Sequence, residues 1–424
     1  MIDIRPAPAA VRRWVPRLLR GTAFRRYWSA QTVSLFGDEI STLALPLFAV
    51  LGLHAGPAEM GYLIAAGLSP NLLFPVLAGA WIDRFPHKRR IMIIADIGRA
   101  LLLTAVPVAF LLGALTLEHL YVVAFLSGTL AVLFEVSNST LFVSLVAKQD
   151  YLEANTLLNG SRAASFVAGP SAAGLLVQTV TAPVALLADA ASYLASAALL
   201  LRIRPAEPPP AQTRGLGIGQ GLRFIAGSPV LRATLLGSTT LNLFNYMFAA
   251  LFVLYVSTRL GVSAGLLGAV IGAGAFGALL GAAVTGRIAR RLGIGRTLVL
   301  SFLLFPAPLL LVPLAGGPQP ALLGMLFAAE FCSGLGVMML DITAGSVQTA
   351  ATPDALRARV SGAQRTINYG IRPIGALLGG ALGASLGLRP ALWIATIGAI
   401  AGVLWVLPAP VRGLRDLPEQ AEPR

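Results

Sequence analysis

Residues 58–115 read AEMGYLIAAGLSPNLLFPVLAGAWIDRFPHKRRIMIIADIGRALLLTAVPVAFLLGAL. Two long apolar runs flank a short polar turn that holds Asp83, Arg84, Lys88, Arg89 and Arg90. A helix of about 20 residues spans roughly 30 Å, the thickness of a bilayer's hydrocarbon core. The stretch therefore reads as two membrane-crossing helices joined by a basic turn. Only helices and closed barrels satisfy their backbone groups in lipid. Barrel strands would alternate over about ten residues, and these runs do not.

The pattern fills the chain. Apolar runs of spanning length lie at 27–53, 58–82, 90–115, 120–145, 157–180 and 183–201, and again at 230–256, 262–288, 297–315, 320–349, 356–386 and 390–407. Hydrophobic residues make up 56% of 424 and charged residues only 12%, with a mean hydropathy of +0.78. A soluble domain carries about 25% charge to wet its surface. The expected fold is thus an all-α integral membrane protein of twelve transmembrane helices.

Lys and Arg report the orientation. With both termini inside, the inner segments hold the N-terminal arginines, the 84–90 cluster, Lys148, Arg202, Arg204, Arg214, Arg223, the arginines at 287–296, Arg357, Arg359, Arg412 and Arg415. The outer connections hold only Arg259 and Arg389. The net charge of +14 is a topology signal, and no nucleic-acid partner is expected. The N-terminal basic stretch lacks a small-residue cleavage site, so the first run reads as a span and not a cleaved signal. Two of the 32 basic residues are lysines, Lys88 and Lys148, leaving 30 arginines, a composition expected of a GC-rich bacterial gene. The expected location is a bacterial inner membrane.

The longest polar connection, 202–228, divides the spans into six and six. It opens with a proline-rich segment at 204–210, the composition of a semi-rigid linker. The expected organisation is a basic N-terminal segment (1–26), a six-helix bundle (27–201), a linker (202–228), a second six-helix bundle (229–408) and a C-terminal tail (409–424). The halves echo each other at an offset of about 205 residues: Gly79…Asp83-Arg84…Arg90 with Ala282…Gly286-Arg287…Arg291, and Asp150…Ala154…Gly169-Pro170 with Asp354…Ala358…Arg372-Pro373. Parallel six-helix repeats with a midplane substrate site are a transporter architecture.

Acids inside spans are the candidate chemistry, since each costs about 2.5–3.5 kcal/mol on insertion scales. Asp38, Glu39, Glu135, Glu330 and Asp341 qualify, with Asp189 nearer the outer side. Asp38 shares a helical stripe with Gln31, Ser34 and Ser41, expected to face a wet cavity, whereas Glu39 is turned about 100° toward a neighbouring helix. Asp38 has no evident basic partner at its depth. Glu135 with Asn138, Glu330 with Asp341, and Asn242 with Asn245 and Tyr246 each share a face. Such a carboxylate either carries a proton or substrate cation, or pairs with Arg99, Arg162, Arg365 or Arg372. One cysteine, Cys332, and three loop histidines, His54, His87 and His119, give no metal or cofactor site. No Gly-x-x-x-x-Gly-Lys-Ser/Thr loop for nucleotide-driven pumping is present.

The segment Gly79-Ala-Trp-Ile-Asp83-Arg84-Phe-Pro-His-Lys88-Arg89-Arg90 resembles the loop signature of the major facilitator superfamily. Phe24-Arg25-Arg26-Tyr-Trp28…Gly37-Asp38…Ala44-Leu45-Pro46 and Ala154-Asn155…Asn159-Gly160-Ser161 are similar to its branch of enterobactin exporters and macrolide-efflux proteins. Gly160…Gly169-Pro170…Gly174 resembles the glycine-proline motif of its proton-driven antiporters, with three residues instead of two between Pro170 and Gly174. The resemblance implies the major facilitator fold, a central cavity lined by spans one, four, seven and ten, and a cytoplasmic gate at Gly79, Asp83, Arg84, Lys88, Arg89 and Arg90, with Asp83 near Ala355. It implies a monomeric, proton-coupled exporter of small amphiphilic or cationic compounds, with no enzyme activity. An importer or uniporter of the same fold is the alternative reading; a membrane receptor or enzyme is a distant one.

Overall fold

The computed structural model describes residues 16–74, 87–204 and 218–416, and all regular structure among them is helical. The first group of long helices is α1 (Thr22–Leu53), α2 (Pro57–Leu68), α3 (Lys88–Leu111), α4 (Leu117–Leu145), α5 (Tyr151–Val180) and α6 (Ala182–Leu201). The second is α7 (Pro229–Leu254), α8 (Ala264–Leu292), α9 (Ile294–Leu304), α10 (Gln319–Ala351), α11 (Arg357–Leu386) and α12 (Leu388–Ala401). A short helix, Ile218–Gly227, precedes α7. Ten helical segments among the described residues are long and apolar enough to cross a membrane. The other two of the twelve are α2, whose continuation past Phe74 lies outside the described residues, and α11, which carries Arg357, Arg359, Arg365 and Arg372.

Local chemistry sets the ends. Pro57 opens α2 and Pro229 opens α7, first-turn positions where the missing N–H has no intrahelical partner to lose. Ser228 caps α7 by accepting the Leu231 N–H at 3.4 Å, and Thr116 with His119 forms a capping box at α4. The ninth expected span is one run in the sequence but is broken in the structure. Helix α9 stops at Leu304, and two single turns, Ala307–Leu310 and Leu311–Leu314, complete it. Pro306, Pro308 and Pro313 fall there, and each removes a backbone donor.

The basic helix ends gather on one face. Arg26 donates to the Arg202 carbonyl at 2.6 Å and Arg89 donates to the Ile203 carbonyl. The Leu18 N–H meets Glu153 at 3.3 Å, and the start of α9 pairs with Leu414 and Arg415. At the opposite end His54 terminates α1 in the left-handed region, and Arg389 donates to the Pro313 carbonyl at 2.7 Å.

Within the first group α1 packs on α5 and α6, and α3 on α4 and α6. Within the second, α10 packs on α8 and α9, and α7 on α11 and α12. The groups meet where α5 crosses α8 and α2 crosses α11. An apolar cluster runs through both groups, including Leu47, Met60, Leu186, Leu251, Leu267 and Leu326. The crossings are made by glycine. A Cβ at Gly174 would overlap the Ala264 carbonyl and lie 2.9 Å from the Gly268 Cα; one at Gly61 would lie 2.9 Å from the Gly380 Cα. Both crossings sit toward the helix ends away from the basic face. The glycine-rich stretch of α8 is likewise packing surface: Gly277 and Gly281 lie against α10 at Phe331 and Leu335.

Gly174→Ala should therefore cost about 1–3 kcal/mol of stability by forcing the crossing apart. A Cβ at Gly160, by contrast, meets nothing within 4 Å. Gly160→Ala should be neutral or stabilising by up to about 1 kcal/mol through helix propensity. Thermal melting of both variants in detergent measures the contrast, and equal shifts would contradict the tight crossing.

Candidate functional site

The polar stripe of α1 faces inward against α6 and α3. Helix α6 presents Asp189, Ser192, Tyr193 and Ser196 at helical spacing, all buried. Gly37 lets the two helices approach, since a Cβ there would overlap Asp189 and Ser192. Ser41 donates to Asp189, and Ser192 donates to its other oxygen at 2.9 Å. Tyr193 donates its hydroxyl to Asp38 at 2.5 Å.

The basic partner that the sequence reading did not find for Asp38 is Arg99 of α3. Its Nη1 lies 3.7 Å from Asp38 Oδ1, and its Nη2 lies 2.5 Å from Asp96 Oδ1. The guanidinium stacks 4.1 Å from the Tyr193 ring and 4.8 Å from Phe134. Asp96 and Asp189 are wholly buried, whereas the Asp38 side chain is 41% exposed. Two carboxyls thus share one guanidinium, with the hydroxyl-bound Asp189 as a third acid in the same corner of the first six helices. Asp96 is absent from the sequence candidates. Its signal was the i,i+3 pairing with Arg99, two ionisable groups on one face of a span.

Two residues of the expected cavity stripe, Gln31 and Ser34, are corrected, whereas Ser41 does line the central cavity. Gln31 and Ser34 are buried, and Gln31 and Tyr27 donate to Asn138 of α4 at 2.8 and 2.7 Å. Their polarity is consumed between helices, since a paired amide in a dry bundle is cheaper than one left unmade. Glu39 takes the open position instead. Its Cβ lies where Gly169 leaves room, 2.5 Å from the Cβ position of that glycine, so the glycine beside Pro170 accommodates an acid as well as a helix.

Glu39 lines a cavity of about 730 Å³ between the two helix groups, bounded by α1, α2, α5, α7, α8, α10 and the turns that follow α9, with one residue of α4. Its walls are mostly apolar, with Phe166, Phe248, Phe252 and Phe305. Glu330 of α10 faces it from the second group, beside Gly274 of α8. Among the described residues these two are the ionisable carboxyls on this wall, and no basic residue lines it. Asn245 and Tyr246 line it as well and continue into a second, polar cavity of about 530 Å³ among α7, α10 and α11. Asn242 and Asp341 lie on that second wall.

Glu135 stands apart. It is exposed on α4 and meets Arg365 of α11 at 3.4 Å, an ion pair between the groups. Of the expected gate, Gly79, Asp83 and Arg84 lie outside the described residues. Lys88 is buried, Arg89 bonds the end of α6, and Arg90 is exposed. Among the described residues no group of three His, Cys, Asp or Glu side chains could hold a metal ion.

Removing the shared cation should leave two acids without their partner. Arg99→Met is expected to cost about 3–5 kcal/mol, the loss typical of breaking a buried pair from one side. Adding Asp96→Asn to Arg99→Met should recover part of it. Melting curves of the single and double variants test the coupling, and strictly additive losses would exclude it.

The chain matches the sequence model of the Major Facilitator Superfamily over residues 27–372 and again over 234–424. It is 27% identical over 378 residues to the multidrug efflux pump Tap of Mycolicibacterium fortuitum, covering 83% of this chain and 87% of that protein. It is 26% identical over 380 residues to the uncharacterized MFS-type transporter YfiS of Bacillus subtilis (strain 168), covering 86% and 88%. Among solved structures, a bacterial homologue of the iron transporter ferroportin, in an inward-facing state, superposes with a TM-score of 0.74 at 17% identity, covering 92% of this chain and 99% of that one. This multi-pass membrane protein is a transporter and belongs to the major facilitator superfamily.

Proposed function

We propose that the chain is a proton-coupled exporter of small amphiphilic cations that works by alternating access. The observation that carries this reading is the cavity of about 730 Å³ between the helix groups, apolar in its walls and faced by Glu39 and Glu330, with no basic residue among the described residues that line it. Its size suits a drug-sized molecule, and two carboxyls in an apolar chamber attract a lipophilic cation. The resemblance to a multidrug efflux pump supports the same class of cargo.

Proton coupling is assigned to the corner formed by Asp38, Asp96 and Asp189. With one guanidinium for three carboxyls, the corner has room for a proton. Asp38 is half-exposed and adjacent in sequence to Glu39, so a cation arriving at Glu39 perturbs the proton held next door. Each proton entering down an inside-negative potential releases about 2.3 kcal/mol per 100 mV, which a differential affinity between two conformations converts to uphill export. The units 27–201 and 229–408 would move against each other about the two glycine crossings. The basic face would lie in the cytoplasm of a bacterium, with both termini on that side of the inner membrane.

Proteoliposomes loaded with a pH-sensitive dye and given tetraphenylphosphonium test the reading. Substrate-dependent proton movement is expected in the wild type, with loss of at least tenfold in Asp38→Asn. Cation flux without proton movement in either protein would leave a uniporter and end the antiport proposal.

A further inference from the structure

The two halves treat their intramembrane arginines differently. Arg99, in the first group, is neutralised by Asp96 and Asp38. Arg372, in α11, lines the polar cavity and makes no ion pair within 4 Å among the described residues. A guanidinium at membrane depth costs several kcal/mol unless something answers its charge. Asp341 lines the same cavity from α10 but does not come within pairing distance.

Arg372 is nevertheless held in place. Its Nε donates to Asn242 Oδ1 at 3.1 Å, and its plane lies 4.0 Å from the Tyr369 ring and 5.0 Å from the Tyr246 ring. A fork fixed on its Nε side and stacked on aromatic rings loses little freedom on meeting a ligand, and its planar geometry matches a carboxylate bidentately. The surrounding wall supplies amides, notably Asn245, Gln364 and Asn368.

Charge is also sorted in space. Among the described residues the apolar chamber has two acids and no base, whereas the polar cavity has two arginines, Arg372 and Arg365, and one acid, Asp341, with Arg365 already met by Glu135. Asn245, Tyr246, Phe305 and Val337 line both, so the two are adjacent. A ligand spanning them would put a cation near Glu330 and an anion near Arg372.

We propose that Arg372 anchors a carboxylate on the transported molecule, so that zwitterionic amphiphiles are preferred over simple lipophilic cations. The inference rests on the exporter reading only in taking the central cavity as the substrate site; it needs neither the direction nor the coupling.

The test is equilibrium binding to the full chain in lipid nanodiscs, using ciprofloxacin and its methyl ester, which keeps the ring and amine but lacks the carboxylate. The wild type should bind the acid roughly tenfold more tightly than the ester, the worth of a hydrogen bond to a charged group. Arg372→Gln should bring the ratio near one, and Arg372→Lys should leave an intermediate ratio. Glu330→Gln should weaken both ligands by a similar factor and preserve the ratio, a split that general loss of structure would not produce. A wild-type ratio near one, or an unchanged ratio in Arg372→Gln, overturns the proposal. Should Arg372→Gln fail to fold, the wild-type ratio and Arg372→Lys still decide it. Tetraphenylphosphonium binding by the wild type separates the two readings. If it binds while acid and ester are not distinguished, only the carboxylate site falls; if none of the three binds, the exporter reading falls too.

Discussion

Lipid offers no hydrogen bonds, and everything polar in this protein is arranged around that fact. Twelve helices satisfy their own backbones, and polar side chains within spans turn toward one another. The Arg99 corner is the densest expression of it. One guanidinium receives Asp96 and Asp38, takes the Tyr193 ring on its face, and leaves Asp189 to the hydroxyls of Ser41 and Ser192. Helices α1, α3 and α6 are tied by that corner, and the position of α1 in turn decides which of its acids looks into the chamber.

The repeated architecture is not matched by repeated chemistry. The first six helices gather most of their buried charge around Arg99, and the last six open theirs onto a cavity of about 530 Å³. What joins them is a shared apolar chamber with one carboxyl from each side, Glu39 and Glu330. The two halves thus bring different polar groups to a shared frame.

Much of the fold was legible because helix length and hydropathy are set by bilayer thickness, a constraint that acts on every span alike. The ninth span shows the limit. Its run of apolar residues gave a span, but the breaks at Pro306, Pro308 and Pro313 depend on local backbone donors that hydropathy does not weigh. At the site, periodicity groups Asp38 with Gln31, Ser34 and Ser41, yet it could not say that Gln31 meets α4 while Asp38 and Ser41 meet α6. The answer lay on α6, whose Asp189, Ser192, Tyr193 and Ser196 form the complementary stripe, and in Gly37, which brings the two helices together. Facing is a property of pairs of helices: Glu39 does meet a neighbouring helix, at Gly169, but it also lines the chamber, and Asp38 has the basic partner that the single-helix reading lacked. The polar wall formed by Asn242, Asn245 and Tyr246 could be read from spacing, whereas the stacking of Arg372 against Tyr369 and Tyr246 required the fold.

The glycine crossings carry a thermodynamic consequence for a protein that must change shape. At Gly174 against Gly268, and at Gly61 against Gly380, backbone meets backbone. Fixing a long side chain in an interface costs up to about 2 kcal/mol of rotamer entropy, but glycine has no rotamers to freeze. Contacts of this kind can form and part repeatedly with little entropic penalty in either direction. Two arrangements joined by such seams can lie close in free energy, leaving small ligand and ion affinities enough to tip the balance between them.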